Sequence, residues 1–253
     1  MVTRKSRREI EKMRTAGRIV AEVLALVEAE LRPGVSTAHL DRLAERHIRS
    51  AGAVPSFKGY GHKSNPFPAS LCISIDDEVV HGIPGERLIR EGQIVSVDAG
   101  AIVDGWHGDG ARTFVVGAAS EQVSKLVATT RLAMMAGIAA AVPGASLGDI
   151  AGAIEDTALP GGYGIVRQFV GHGIGTEMHQ EPQVPNYRTG VRGMKLVPGI
   201  CLAIEPMLTL GSHEVTIKPD GWTVVTRDGS LAAHFEHTIA VTDNGPVILT
   251  SVA

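Results

Sequence analysis

Residues 169–184, FVGHGIGTEMHQEPQV, contain two histidines and three glycines within sixteen positions. The first histidine, His172, lies between two glycines, which allow the backbone to come close to another group. A strand or helix that only fills a hydrophobic core does not need this composition. The pattern predicts an open bend that presents the imidazole of His172 to a ligand.

Two aspartates are expected on one face of a hairpin. The pair Asp104-Gly105 separates two β-rich runs, and an Asp-Gly pair in this position is a strong signal for a two-residue turn. That turn pairs Asp109 with Gly100. Because alternate residues of a strand point to the same face of the sheet, Asp98, two residues before Gly100, lies on the same face as Asp109. Buried carboxylates this close repel each other unless a cation lies between them. The hairpin alone is also compatible with two exposed acids.

Two glutamates lie inside apolar segments, where an unpaired acid is costly. Glu205 interrupts GICLAIEPML, and Glu236 interrupts the strand-like AAHFEHTIAVT near its centre. Four carboxylates and one imidazole form an oxygen-rich set of the size that two-metal hydrolases use. Hard oxygen ligands favour Mn(II), Fe(II) or Co(II) and do not exclude Zn(II). The predicted ligands of two divalent metal ions are Asp98, Asp109, His172, Glu205 and Glu236.

Internal similarity indicates how these residues are positioned. RPGVSTAHL at 32–40 recurs loosely as VPGASLGDI at 142–150, and LIREGQIVSVD at 88–98 recurs as MKLVPGICLAIE at 194–205. A His-Gly-Ile occurs in each half, at His81 and His172. Chance is the alternative, since Pro-Gly after a helix is common. We expect an α/β (α+β) fold with two similar halves, about 1–120 and 121–253, each a helical stretch followed by a glycine-led strand that ends in an acid.

Composition narrows the class of protein. The chain of 253 residues is 44% hydrophobic with a formal net charge of -3, which is typical of a globular protein and argues against DNA binding. An amphipathic helix is predicted near Glu9 to Val27, and no run of 18 apolar residues predicts a membrane span. Cys72 and Cys201, the only cysteines, are too few for a disulfide framework. The sequence predicts a cytoplasmic protein.

The order of the five ligands, with the motifs VDAGAIVDGWHGD, GHGIG, AIEPM and FEHT, resembles type I methionine aminopeptidases over almost the whole chain. The resemblance implies a pita-bread fold, with two pseudo-symmetric halves around a dinuclear metal site. It also implies removal of the initiator methionine from peptides and nascent chains whose second residue is small. In this family the positions of Asp109 and Glu236 bridge the metals, and that of Asp98 chelates one of them. The positions of His172 and Glu205 complete the coordination of the other metal ion.

The resemblance implies further site residues. Glu205 would also accept the proton of the attacking water, and His81 and His179 match uncoordinated catalytic histidines near the substrate. The segment GHKSNPFP is longer here than in the shortest relatives, and Met178 stands where the family often has a phenylalanine. The residues that match the methionine pocket are Tyr60, Phe67, Cys72, Met178 and Trp222.

Related proteins supply the alternatives. Proline-specific aminopeptidases and prolidases resemble this core but usually carry an additional N-terminal domain, whereas one catalytic domain without such an extension is expected over 1–253. Type II methionine aminopeptidases carry a helical insertion, for which the segment between His172 and Glu205 leaves no space. A non-catalytic binding protein of this fold would be expected to have lost ligands. We expect a monomer, and the ribosome, if it is a partner, would contact the catalytic domain itself.

Overall fold

The computed structural model describes residues 2–252, which form a large antiparallel sheet, two small sheets and four α-helices within that range. The helices are α1 (Arg7–Glu30), α2 (Thr37–Ser50), α3 (Glu121–Ala140) and α4 (Leu147–Ala158). The strands are β1 (Val54–Pro55), β2 (Leu71–Ile75), β3 (Glu78–Val80), β4 (Ile94–Val103), β5 (Trp106–Val115), β6 (Gly164–Ile165), β7 (Gly171–Gly173), β8 (Gln180–Val184), β9 (Cys201–Ile204), β10 (Met207–Thr209), β11 (Val215–Ile217), β12 (Val224–Thr226), β13 (Ala232–His234), β14 (Glu236–Thr242) and β15 (Gly245–Ile248).

Helix α1 confirms the predicted amphipathic helix. It begins at a capping box, in which the Ser6 side chain accepts from the backbone of Glu9 and the Glu9 carboxylate accepts from the Ser6 N–H at 2.7 Å. Its buried face, which includes Met13, Val20 and Leu24, packs on β4 and β5. One hydrophobic core joins α1, α2, β2 and β4, and a second joins α3, α4, β9 and β14.

The β4–β5 hairpin has the predicted register. Asp104 and Gly105 form the turn with φ values of 50° and 77°, as a two-residue turn of this kind requires. Gly100 faces Asp109 across the ladder. The expectation that the strand of the first half ends in its acid is wrong: Asp98 lies in the middle of β4, because this ten-residue strand continues to the turn and pairs on both sides.

The internal similarity has a structural counterpart. Ser36 caps α2 and Ser146 precedes α4 at the equivalent position. Each serine also forms an isolated antiparallel bridge, Ser36 with Leu88 and Ser146 with Lys195. In both halves a helix therefore starts against the segment that leads into a central strand.

The large sheet places β4, β5, β14, β9 and β7 side by side. The open bend expected at His172 is wrong, because this residue lies in β7, paired with β8 and β9. The flanking glycines permit this pairing: a Cβ atom at Gly171 would collide with the carbonyl oxygen of Ala203, and one at Gly173 with that of Glu181. The two glycines thus allow β8 and β9 to approach β7 closely on either side of His172.

Helix α3 is long and apolar enough to cross a membrane by length and composition alone. Core helices of soluble proteins meet the same criteria. The helix packs against α4, and its Ala133, Met134 and Ile138 belong to the second core.

Replacing Gly17 in α1 by alanine is expected to destabilise the protein, although alanine is the better helix former by about 1 kcal/mol. A Cβ atom there would collide with the backbone carbonyl of Leu249, and overpacking of this kind costs typically about 1–3 kcal/mol. Thermal unfolding should show a lower Tm for Gly17→Ala. The exposed neighbour provides the control, since Arg18→Ala should change the Tm little. A Tm for Gly17→Ala equal to or above that of the wild type would contradict this packing.

Candidate metal centre

The predicted metal ligands of the first half and Glu236 lie on one face of the large sheet. Asp98 on β4 faces Ala111 on β5, and Ala111 faces Glu236 on β14. Asp109 lies two residues before Ala111 on β5 and therefore shares that face. The segment that contains Glu236 was expected to be one strand with the acid near its centre. Instead Glu236 is the first residue of β14, because Phe235 interrupts the strand between β13 and β14.

The remaining two ligands come from the neighbouring strands β9 and β7. Glu205 follows the last residue of β9, and the pairing of His237 with Ile204 directs the next position of β9 towards Glu236. His172 on β7 pairs with Ala203, two residues before Glu205. Its Nε2 lies 3.5 Å from Oε1 of Glu205. The five predicted ligands therefore converge from five adjacent strands.

Several donor atoms of this centre are buried without a hydrogen-bond partner among residues 2–252. They include Oδ1 of Asp98, Oδ1 of Asp109 and Oε1 of Glu236. Asp109 and Glu236 are only 4% and 2% exposed. Unpaired buried carboxylates are strongly disfavoured, and a divalent cation supplies the compensation that they lack. The donor set, rich in oxygen with one or more imidazoles, fits such cations.

Burial also shifts the ionisation of these groups. Burial, and next the charge of Asp109, raise the pKa values of Asp98, Glu205 and Glu236 well above the ordinary range. Burial raises the pKa of Asp109 to about 7. For His172, burial lowers the pKa to about 3. Without a cation, the pocket thus favours neutral carboxyl groups, and a bound cation would restore their ionised form.

A cavity of about 80 Å³ joins the metal centre to an apolar wall. Phe57, which was not predicted from the sequence, packs in this wall with Ala69 and four of the predicted pocket residues, Phe67, Cys72, Met178 and Trp222. A groove of about 820 Å³ adjoins the cavity and shares His81, His179 and two ligands with it. All the predicted substrate residues line the cavity: Tyr60, Phe67, Cys72, His81, Met178, His179 and Trp222.

The two uncoordinated histidines approach the ligands from the side of this cavity. The ring of His179 lies 4.3 Å from that of His172, centroid to centroid, and its Nδ1 is 2.6 Å from the Tyr60 hydroxyl. His81 follows β3 with a φ of 59°, an uncommon value for a non-glycine residue. Burial lowers the pKa of His81 to about 4 and lowers that of His179. Both imidazoles are therefore neutral at pH 7.

His234 belongs to the centre and was missed by the sequence reasoning. Its Nε2 is buried without a hydrogen-bond partner among the described residues and lies 3.7 Å from Oε2 of Glu205. His234, Glu205 and Glu236 form one group of potential ligands, and Asp109, His172 and Glu236 form another. Glu236 is shared by both groups. The signal in the sequence was the two-residue spacing of His234 and Glu236, which places both on one face of an extended segment.

A sheet that gathers buried acids and imidazoles beside an apolar cavity defines a metal-dependent hydrolase. The chain matches the model of metallopeptidase family M24 over residues 11–243, and it belongs to this family. It is 53% identical over 251 residues to a methionine aminopeptidase of Clostridium acetobutylicum, with 99% of each chain covered. It is 46% identical over 252 residues to methionine aminopeptidase 1 of Bacillus subtilis, with 100% of each chain covered.

Solved structures confirm the expected pita-bread fold. The crystal structure of methionine aminopeptidase from Thermotoga maritima matches with a TM-score of 0.96 at 43% identity and full coverage of both chains. Prolidase from Pyrococcus furiosus matches with a TM-score of 0.79 at 22% identity, which shows the fold alone, and 66% of its length is covered. The resemblance to methionine aminopeptidases is confirmed.

The metal-free protein is expected to lose stability as the pH rises above about 6.5, through the raised pKa values of its buried carboxyl groups. Carboxyl groups with raised pKa values bind more protons in the folded than in the unfolded state, so the free energy of unfolding falls with rising pH. The lowered pKa of His172 acts in the opposite direction, but only below its ordinary value of about 6.5. The measurement is the Tm of the protein in a chelator at a series of pH values, which gives the slope of stability against pH.

Added Mn(II) should remove most of this slope, because the cation stabilises the ionised carboxylates. Asp109→Asn should reduce the slope in the metal-free protein and lower the metal content. Asp104→Asn is the matched control, since Asp104 is exposed in the turn of the same hairpin and should change neither. A Tm of the metal-free protein that does not vary with pH would show that these carboxyl groups ionise normally.

Proposed function

We propose that this chain is a metal-dependent aminopeptidase that removes the N-terminal methionine from peptides and nascent chains whose second residue is small. The observation that carries the proposal is the joining of an apolar slot to a set of buried acids in one cavity. The full-length similarity to methionine aminopeptidases supports it.

Two divalent metal ions are proposed as cofactors, with Mn(II), Fe(II), Co(II) and Zn(II) as candidates. When bound, they would polarise the scissile carbonyl and lower the pKa of the attacking water. Asp109 and Glu236, in the middle of the ligand set, would contact both ions. His172 and Glu205 would hold one ion, and Asp98 the other.

The apolar part of the cavity would bind the methionine side chain. Cys72 and Met178 line it with sulfur, which makes favourable contacts with a thioether. Phe67 and Trp222 form an edge-to-face pair with ring centroids 5.2 Å apart and complete the slot. The adjoining groove, which shares His81, His179 and two of the ligands with the cavity, would hold the rest of the peptide.

Three side chains would act on the reacting atoms. Glu205 would take a proton from the attacking water and pass it to the leaving amine, since its carboxylate is held between His172 and His234. His179 would donate a hydrogen bond to the scissile carbonyl and to the oxyanion that develops from it. His81, which shares the cavity, would position the backbone amide of the substrate.

We propose that the protein acts as a monomer in the cytoplasm. The two cysteines, Cys72 and Cys201, are free and buried, which suits a reducing compartment. Nascent chains are the proposed substrates there, and any contact with the ribosome would use the surface of the catalytic domain.

A peptide panel tests the proposed function. After removal of metals and separate reconstitution with Fe(II), Mn(II), Co(II) and Zn(II), Met-Ala-Ser should be cleaved, whereas Met-Lys-Ser should not. Norleucine should replace the first methionine, because a hydrophobic slot discriminates an isostere by only about 1–3 kcal/mol. Cleavage of Ala-Pro peptides with Met-Ala peptides untouched would assign the chain to the proline-specific branch. Absence of cleavage with every metal would favour a non-catalytic binding protein.

His179→Ala should retain the metals and lose about 10²–10³ in kcat, the usual cost of one donor to an oxyanion. KM should change less, because the contact strengthens mainly in the transition state. Metal content, Tm and kcat should be measured on one preparation. His39→Ala, at an exposed histidine on α2, is the control and should leave all three unchanged. Wild-type turnover by metal-loaded His179→Ala would contradict the catalytic role.

A further inference from the structure

The hydroxyl of Tyr60 is fixed against His179. Its oxygen lies 2.6 Å from Nδ1 of His179, and this is its only hydrogen bond among residues 2–252. The backbone of Tyr60 is held on both sides, since its N–H donates to the carbonyl of Phe57 at 2.9 Å and its carbonyl accepts from the N–H of Phe67 at 2.8 Å. These two hydrogen bonds lie within the loop formed by residues 57–67 and fix the backbone position from which the Tyr60 side chain reaches His179.

Two arrangements of protons fit this contact. In the first, the Tyr60 hydroxyl donates to Nδ1 of His179, and the imidazole proton is on Nε2. In the second, Nδ1 of His179 donates to the phenolic oxygen, and Nε2 presents a lone pair. In the second arrangement the phenolic proton has no acceptor among the described residues and must turn to solvent, to which Tyr60 is 40% exposed.

Relative basicity also favours the first arrangement. An imidazole nitrogen is a stronger base than a phenolic oxygen, and a phenol is a stronger acid than the N–H of a neutral imidazole, so the Tyr60 hydroxyl is the better donor of the pair. Burial, and next the charge of Asp109, raise the pKa of Tyr60, so its hydroxyl keeps the proton that it donates.

We infer that Tyr60 is a positioning residue that fixes His179 in the tautomer with its proton on Nε2. The hydrogen bond made by one ring nitrogen decides which nitrogen carries the proton. The inference rests on the proposed function, in which His179 donates to the scissile carbonyl. Only the Nε2–H tautomer can donate from the nitrogen that Tyr60 leaves free, whereas the other tautomer would place a lone pair against the carbonyl oxygen.

The same loop forms the wall of the methionine slot. Trp222 Nε1 donates to the carbonyl of Asn65 at 3.2 Å, and Asn65 Nδ2 donates to the carbonyl of Asp220 at 3.0 Å. These contacts tie the segment between Tyr60 and Phe67 to the loop that carries Trp222. The wall that receives the methionine side chain thus also holds the hydroxyl that sets the tautomer of His179.

Nitrogen-15 NMR of histidine-labelled protein tests the inference. Spectra of Zn(II)-loaded wild type, Tyr60→Phe and Tyr163→Phe are compared, and the His179→Ala spectrum assigns the resonance of His179. The wild type and Tyr163→Phe should show the Nε2–H pattern for His179, because Tyr163 lies outside the cavity. Tyr60→Phe should show a mixture of tautomers, with kcat reduced about tenfold and KM within about threefold, the worth of roughly one hydrogen bond.

The outcomes separate the two proposals. An Nδ1–H pattern for His179 in the wild type would overturn the inference without any variant, as would an unchanged Nε2–H pattern and an unchanged kcat in Tyr60→Phe. A role in loop packing alone would lower the Tm or raise KM while the tautomer stays fixed, and this result would also overturn it. Absence of methionine release by the wild type would overturn the proposed function, and the NMR pattern would still be read independently.

Discussion

The mutual repulsion of four buried carboxyl groups is the constraint on which the rest of the structure depends. Burial and the charge of Asp109 raise the pKa values of the other three, and several of their oxygens have no partner within residues 2–252. A fold can maintain such a cluster only where backbone pairing fixes the side chains and a cation offsets the charge. The antiparallel ladders of β4, β5, β14, β9 and β7 provide that fixation.

The junction of the two similar halves lies inside the metal centre. Only two residue pairs connect β5 to β14, and one of them includes Glu236. Beyond these pairs, the hydroxyl of Thr238 accepts from the N–H of Asp109 at 3.0 Å and donates to its carbonyl at 2.8 Å. A side chain thus takes over the hydrogen bonds of the ladder beside a proposed bridging ligand. The residues that join the two halves thus include, or lie directly beside, predicted metal ligands.

The sequence was sufficient where a local rule fixes the geometry. An Asp-Gly turn sets the register of β4 and β5, so the shared face of Asp98 and Asp109 could be predicted. The prediction from the sequence failed where a strand pairs with a segment that is distant in the chain. The glycines around His172 allow β7 to pair closely with β8 and β9, a contact that no local pattern distinguishes from a bend.

Other site features were not accessible for related reasons. The spacing of His234 and Glu236 indicates a shared face, but the contact of His234 with Glu205 arises from the pairing of β13 with β10, which no local pattern predicts. The contact of Tyr60 with His179 joins residues 119 positions apart. Phe57 lies in the pocket wall because it belongs to the loop that carries Tyr60. Family resemblance supplied Tyr60 and His179 as separate positions but not the bond between them.

The reverse side of the hairpin has glycines where α1 crosses it. A Cβ atom at Gly108 would collide with the backbone of Gly17, and one at Gly110 would crowd Val20. The helix therefore rests on the backbone of β5 with almost no side chain in between, directly behind Asp109. A displacement of α1 would therefore act directly on the backbone that carries Asp109. Substitutions in α1 that disturb this packing should thus change the spacing of the carboxylates, although α1 supplies none of the predicted ligands.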